Sequence, residues 1–262
     1  MEENIIIKND KYDIPAALCL PKNKKTYPAV ILCHGTASNK DEVGGLFKIL
    51  ARTLRENNIA SIRFDFAGCG QSKAPEEELT FLGEVSDTEK VLEYLKSHPN
   101  IKDIGILGFS QGARVMAHFL GKNHQDISFA VSWSGACHNG KGAFEILFKE
   151  YYDIASRDGI VKIPMKWRDD ITVSKTWFDE IKDTKPLDSL SKYKGPILAI
   201  SGSLDKLVDP NHSKEIANST SGNIKDYKIY KDMGHNFNIL SDDKKSHQLV
   251  IKDTVNWITK QI

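Results

Sequence analysis

The sequence predicts an α/β domain in which a mostly parallel sheet carries helices on both faces. Three observations point there. Short continuous apolar runs recur, such as Ala29-Val30-Ile31-Leu32-Cys33 and Phe129-Ala130-Val131-Ser132-Trp133, as expected of strands covered on both sides. Amphipathic helical stretches alternate with them, which places the crossovers on the faces of the sheet. A serine stands in Gly108-Phe109-Ser110-Gln111-Gly112, where an apolar strand turns abruptly into a helix.

The elements follow in order. Ile5 to Ile7 and Ile14 to Leu20, parted by Asn9-Asp10-Lys11, read as an opening hairpin. After the strand at 29–33 comes a polar loop, then a helix over Leu46 to Asn57 with Leu46, Ile49, Leu50 and Leu54 on one face. Ile59 to Phe64 is the next strand and runs into Asp65-Phe66-Ala67-Gly68-Cys69-Gly70-Gln71-Ser72. Glu84 to Ser97 is amphipathic through Val85, Val91, Leu92 and Leu95, and ends near His98-Pro99-Asn100. Ile104 to Leu107 leads into the serine turn, and Ala113 to Leu120 reads as a helix packed on a sheet. Ile197 to Ser201 and Tyr227 to Tyr230 are the last strands, and His247 to Ile262 closes the chain as a helix. Residues 136–190 break the alternation. They hold a helical stretch from Ala143 to Asp153, a small hairpin over Gly159–Trp167 and Asp170–Val173, and a short helix over Lys175–Lys182. This segment reads as a cap inserted between core segments 1–135 and 191–262.

Bulk properties narrow the function. Thirty-six Lys and Arg face 35 Asp and Glu, a net charge of +1, so no overall field favours nucleic acid or an anionic membrane. The basic run Lys22-Asn23-Lys24-Lys25 and the acidic run Glu76-Glu77-Glu78 read as solvated loops. Cys19, Cys33, Cys69 and Cys137 show neither CxxC spacing nor a metal-site pattern. No run approaches the ~18 apolar residues of a membrane span, and Met-Glu-Glu-Asn does not begin a secretory signal. The expectation is a cytoplasmic protein with no cofactor, no metal, and no nucleic-acid or membrane partner. A small-molecule partner is expected, with a homodimer left open.

A serine hydroxyl is a weak nucleophile; it needs a base, and the base needs an orienting acid. His235, in Met233-Gly234-His235-Asn236-Phe237, follows the last strand, where a loop presents a base at the carboxyl edge of a sheet. His98, His118 and His124 lie on or near helices away from that edge, His247 belongs to the last helix, and His138 and His212 are weaker candidates. For the acid, Asp205 follows the strand at 197–201 in Gly202-Ser203-Leu204-Asp205. Its neighbour Asp209 suits a cap for a helix beginning at Pro210. Position favours Asp205. A tetrahedral intermediate also needs backbone N–H donors: one from Gln111, after the nucleophile, and one from Thr36, after His34-Gly35. In this reading His34 braces the loop.

Taken together, His34-Gly35, Asp65-x-x-Gly68-x-Gly70-x-Ser72, Gly108-Phe109-Ser110-Gln111-Gly112, Gly202-x-x-Asp205 and Gly234-His235 resemble the α/β-hydrolase superfamily over essentially the whole core. The chain order Ser110, Asp205, His235 is the order expected in that superfamily. Arg63-Phe64-Asp65-Phe66, Gln111 after the serine, and one cap after the sixth strand resemble bacterial cinnamoyl and feruloyl esterases, which share these features with acylglycerol lipases and serine-aminopeptidase-like hydrolases. Thr36 departs from that group, where an aromatic residue often stands. The resemblance implies an α/β-hydrolase fold and a serine carboxylesterase working through an acyl-enzyme on esters of hydroxycinnamic or medium-chain acids. Thioester or short-peptide hydrolysis on the same triad is the alternative. A dehalogenase would want aspartate at 110. A binding module on a hydrolase scaffold is the non-enzymatic alternative, and such proteins usually lose a triad residue. The aromatics Phe144, Phe148, Tyr151, Tyr152, Trp167, Trp177 and Phe178 are candidates for an acyl pocket, with Tyr151 and Trp177 taken as substrate-binding.

Overall fold

Winding order in the main sheet decides where a site can form. A computed structural model describes residues 2–22, 25–139, 143–165, 168–243 and 245–262. Asn23 and Lys24 of the basic run, and Trp167, lie outside them. The strands are β1 (Glu2–Ile7), β2 (Ile14–Cys19), β3 (Tyr27–Cys33), β4 (Ala60–Phe64) and β5 (Ile101–Phe109), then β6 (Phe129–Trp133), β7 (Ile160–Ile163), β8 (Ile171–Ser174), β9 (Ile197–Gly202) and β10 (Lys225–Tyr230). Eight of them form one sheet in the order β1-β2-β4-β3-β5-β6-β9-β10. β2 runs antiparallel to both β1 and β4, and all other neighbours are parallel. The chain steps from β3 to β4 on one side, then returns to β5 on the other. That reversal opens a crevice beyond the carboxyl ends of β3 and β5.

Alternate side chains of the strands feed two cores. On one face α1 (Leu46–Glu56) packs Leu46, Phe47, Leu50 and Leu54 over Val30, Leu32, Leu107 and Val131. On the other, α2 (Phe81–Ser97) and α3 (Gln111–Asn123) cover Ala29, Ile31, Ile106 and Ala130. Each large aliphatic side chain removed from water contributes about 1.5–3 kcal/mol, so burial on both faces dominates the sheet's stability. Helix α2 starts three residues before the expected Glu84, because Thr80 Oγ1 accepts the Gly83 N–H at 3.1 Å and caps an earlier turn.

Between β6 and β9 come α4 (Ala143–Asp158), the antiparallel hairpin β7–β8, α5 (Lys175–Asp183) and α6 (Pro186–Leu190). Segment 136–190 is not uniform. Phe148, Tyr152 and Phe178 pack on one another, linking α4 to α5 with ring centroids 5.2–5.9 Å apart. By contrast α6 docks against α3 and buries Leu190 in the layer that covers the sheet. It provides the crossover that parallel strands β6 and β9 require. Two further helices complete the layers: α7 (His212–Ser219), with Ile216 and Ala217 buried on the α3 side, and α8 (Ser246–Thr259), with Val250, Ile251, Val255 and Ile258 beside α1. No helix among the described residues is long and apolar enough to cross a membrane.

Candidate active site

Ser110 sits between β5 and α3 with φ 53° and ψ −117°, a conformation that costs a non-glycine residue about 1–3 kcal/mol. Its surroundings impose it. The Ser110 N–H donates to the Trp133 carbonyl at 2.9 Å, and its own carbonyl accepts from Ala113 and Ala136, each at 3.1 Å. Strand and helix cross so closely that a Cβ on Gly108 would lie 2.2 Å from the Gly112 carbonyl oxygen. One on Gly112 would lie 2.1 Å from that of Cys33. Only glycine fits at either crossing point.

His235 lies in the loop after β10. That loop is anchored by fully buried Phe237, whose ring meets Trp133 edge-on at 5.6 Å, and by Ser134 Oγ, which donates to the His235 carbonyl at 2.8 Å. The imidazole packs 5.1 Å from the Phe109 ring and bonds Asp205 Oδ2 through Nδ1 at 2.7 Å. The Asp205 carboxylate is wholly buried, and its other oxygen accepts the N–H groups of Leu207 at 2.9 Å and Val208 at 3.0 Å. A carboxylate only accepts, so Nδ1 is the donor in this pair and Nε2 is the ring nitrogen left to face elsewhere. Asp209 is elsewhere: it accepts from the Asn211 backbone at 2.9 Å and closes the turn before α7, which begins at His212 rather than at Pro210.

The loop after β3 is braced from both sides. The buried His34 ring bonds the Gly35 carbonyl through Nδ1 at 2.8 Å and accepts the Phe66 N–H at Nε2, 3.2 Å away. Burial lowers its pKa and keeps it neutral. Glu42 accepts the Gly35 N–H at 2.7 Å and the Ser38 hydroxyl at 2.8 Å. Asp65, at the end of β4, gathers Lys40 and the Gln71 N–H at 2.7–3.0 Å and holds the adjoining loop. Thr36 follows Gly35, and Gln111 is the first residue of α3, where helical N–H groups have no partner within the helix. Among the described residues, neither backbone N–H has a hydrogen-bond acceptor.

Ser110, His235 and Thr36 line one cavity of about 1730 Å³, and its lining includes Phe144, Leu147 and Tyr151 of α4 with Ile163 and Met165 of the hairpin. The substrate-binding assignment therefore divides. Tyr151 lies on the wall. Trp177 does not: it is 1% exposed, with its ring edge-on to Phe178 at 5.0 Å and near Phe144 at 5.9 Å. It is core of the inserted segment, because the serine-capped start of α5 turns that face toward α4. Phe148 and Phe178 are packed inside the same segment. His138 and His212 also line the cavity, their rings 4.1 Å apart, and the Glu215 carboxylate holds His138 Nε2. Glu42 and Arg168 are cavity residues with no signal in the sequence, and Glu76, expected in a solvated loop, lines the cavity too because Arg168 and the Thr172 N–H hold its carboxylate. No group of three or more His, Cys, Asp or Glu among the described residues is arranged to hold a metal ion.

Comparison with known proteins supports the fold. Residues 28–153 match the family described as alpha/beta hydrolase fold. Est1E from Butyrivibrio proteoclasticus, solved with ferulic acid bound, is similar over 98% of each chain at 20% identity and a TM-score of 0.78. The alpha/beta hydrolase domain-containing protein 10 from mouse is 17% identical over 99% of this chain and 100% of its own, with a TM-score of 0.75. The monoacylglycerol lipase of Paleococcus ferrophilus is 15% identical over 95% and 99%, with a TM-score of 0.74. No curated protein matches in sequence. The chain has the α/β-hydrolase fold.

Proposed function

We propose that this chain is a serine hydrolase acting on carboxylic esters. Ser110 Oγ attacks the ester carbonyl while His235 Nε2 takes its proton. The same histidine then returns that proton to the leaving alcohol as the acyl-enzyme forms. Water, activated by His235 in turn, releases the acid. Asp205 orients the imidazole and stabilises it when charged, and the N–H groups of Thr36 and Gln111 receive the developing oxyanion. The observation that carries the reading is the Asp205–His235 bond on a loop facing the same cavity as the strained Ser110.

For the acyl group we favour an aromatic, hydroxycinnamic acid, with a medium-chain acid as the alternative. Phe144, Tyr151 and Met165 offer an apolar wall, and the similar Est1E was solved with ferulic acid. In this proposal the inserted segment is a cap that selects the acyl group. The test is hydrolysis of methyl ferulate and a p-nitrophenyl ester series by the wild type and Ser110→Ala, with fluorophosphonate labelling of the serine. An unlabelled wild type that turns over none of these esters ends the proposal.

A further inference from the structure

Three side chains outside the triad form one hydrogen-bonded line. Thr36 Oγ1 donates to Gln111 Oε1 at 2.8 Å, and Gln111 Nε2 donates to Glu84 Oε2 at 2.6 Å. Gln111 is fully buried and Glu84 is 1% exposed, in the first turn of α2. The line joins residues 75 and 27 positions apart, from three separate elements. It also begins at the two residues assigned as oxyanion donors. The β3–β5 ladder ends at Cys33 and Gly108, and past that pair the two donor segments meet by close packing, Gly112 against the Cys33 and His34 carbonyls and Gly35 against Ser110. The side-chain bond from Thr36 to Gln111 adds a tie between the two donor residues themselves.

Glu84 is a costly residue for stability alone. Its Oε1 is buried without a hydrogen-bond partner among the described residues, and desolvation pushes its carboxyl up to about 8. A well-packed apolar residue at such a place is commonly neutral or stabilising. What the carboxyl does supply is a fixed partner for the Gln111 amide. That holds in either protonation state. A carboxylate accepts from Nε2; a carboxylic acid donates to the amide oxygen once the amide turns over, and Nε2 then donates to Thr36 Oγ1.

We propose that Glu84, through Gln111 and Thr36, sets the separation of the two backbone N–H donors of the oxyanion cradle, which makes Glu84 a positioning residue although it lies outside the cavity. The inference rests on the ester-hydrolase reading above. An oxyanion exists only in the tetrahedral state, so a misplaced cradle lowers kcat and leaves ground-state binding unchanged.

The experiment uses p-nitrophenyl butyrate as substrate and phenyl trifluoromethyl ketone as the tetrahedral-state probe. Thr36→Val and Glu84→Leu should each lower kcat by about 10- to 100-fold, below the 10²–10³ of losing a donor outright. KM should stay within about two-fold, and the ketone Ki should rise in step with the kcat loss. Because both act on one line, the double variant should be scarcely worse than the poorer single one. Glu84→Gln keeps an acceptor for Gln111 and should return kcat to within about three-fold of wild type. If Glu84→Leu does not fold, Thr36→Val and Glu84→Gln still decide the matter. A Thr36→Val kcat within two-fold of wild type overturns the inference, as does a Glu84→Gln loss beyond ten-fold in a folded protein. Ser110→Ala separates the levels: its retained activity would defeat the serine reading itself, whereas a dead Ser110→Ala beside neutral Thr36→Val defeats the positioning role alone.

Discussion

Asp205 and His235 stand 30 residues apart in the chain and 2.7 Å apart in space, carboxylate oxygen to Nδ1. Parallel strands β9 and β10 make that meeting possible, since both end at the same edge of the sheet. Two backbone N–H groups hold the second oxygen of Asp205, so the carboxylate is aimed as well as buried. Asp209 sits on a neighbouring turn, where its carboxylate accepts from the Asn211 backbone and side chain at 2.9 and 3.1 Å.

From this pairing the kinetic order of the variants follows. Ser110→Ala or His235→Ala should lower kcat by about 10⁶, and the double variant should be little worse, because the groups act as a unit. Asp205→Asn should cost about 10⁴, since an amide no longer favours the productive tautomer. Asp209→Asn should stay within a few-fold of wild type. Steady-state kinetics on p-nitrophenyl butyrate checks the series, and a larger loss at 209 than at 205 would reverse the assignment of the acid.

Two buried carboxyls make stability depend on pH. Desolvation raises Glu84 to about 8 and Asp87 to about 7, against ordinary values of 4.5 and 3.8. Between about pH 4 and 8 the folded chain thus holds protons that the unfolded chain has released, and stability falls as pH rises. Their favourable contribution is fully present below the unfolded values and lost through the folded ones. Glu84→Gln removes one of the two groups. Its urea midpoint should match wild type near pH 4.5, exceed it increasingly up to about pH 8, and then run parallel. A constant offset across that range would show that Glu84 does not titrate as argued.

How much of this was legible in the sequence depends on how far each feature reaches along the chain. Ser110 and Asp205 each lie just beyond an apolar strand and His235 follows the last strand, a local signal in each case, and the doubly covered strands announce themselves by composition. Longer-range features left no such mark. The line from Glu84 to Thr36 crosses three elements, and no periodicity encodes it. Glu76 reads as one of three solvated glutamates, yet it binds two residues almost a hundred positions away. At five residues, α6 is too short to show an amphipathic period. Trp177 and Tyr151 look alike as aromatic positions on helices, because which way a helix face turns is settled by the partner it packs against.

Glu76 supports a third expectation. Its carboxylate binds the Arg168 guanidinium and accepts the Thr172 N–H at 2.7 Å, while Arg168 also reaches the Ala37 carbonyl at 3.3 Å. The β7–β8 hairpin is thereby tied to the loop that carries Thr36. Partly exposed ion pairs contribute about 0–1 kcal/mol, so Arg168→Ala should shift Tm by no more than about 2–4 °C. The effect should appear in substrate capture instead, as a KM for methyl ferulate raised about five-fold, roughly the 1 kcal/mol of the lost tie. One molar salt should raise the wild-type KM in the same direction and leave the variant's nearly unchanged. A Tm loss with KM unaltered would make the contact structural only.

Tyr151 and Trp177 should separate selectivity from folding. Tyr151 stands on the cavity wall of α4, so Tyr151→Ala removes apolar contact from whatever fills the acyl side. Losing such a wall amounts to about 1–3 kcal/mol, a 10- to 200-fold fall in kcat/KM for methyl ferulate. For p-nitrophenyl acetate, too small to reach α4, the change should stay within a few-fold. Trp177→Ala instead hollows the packing between α4 and α5, where the indole lies against Phe144 and Phe178. Truncating a buried aromatic costs about 3–5 kcal/mol, so Tm should drop, and the losses on the two esters should be alike because the segment loosens as a whole. Parallel kinetics and thermal unfolding on both variants make the comparison. Equal losses on both esters for Tyr151→Ala, with Tm unchanged, would remove α4 from acyl recognition and leave the inserted segment without a part in choosing the substrate.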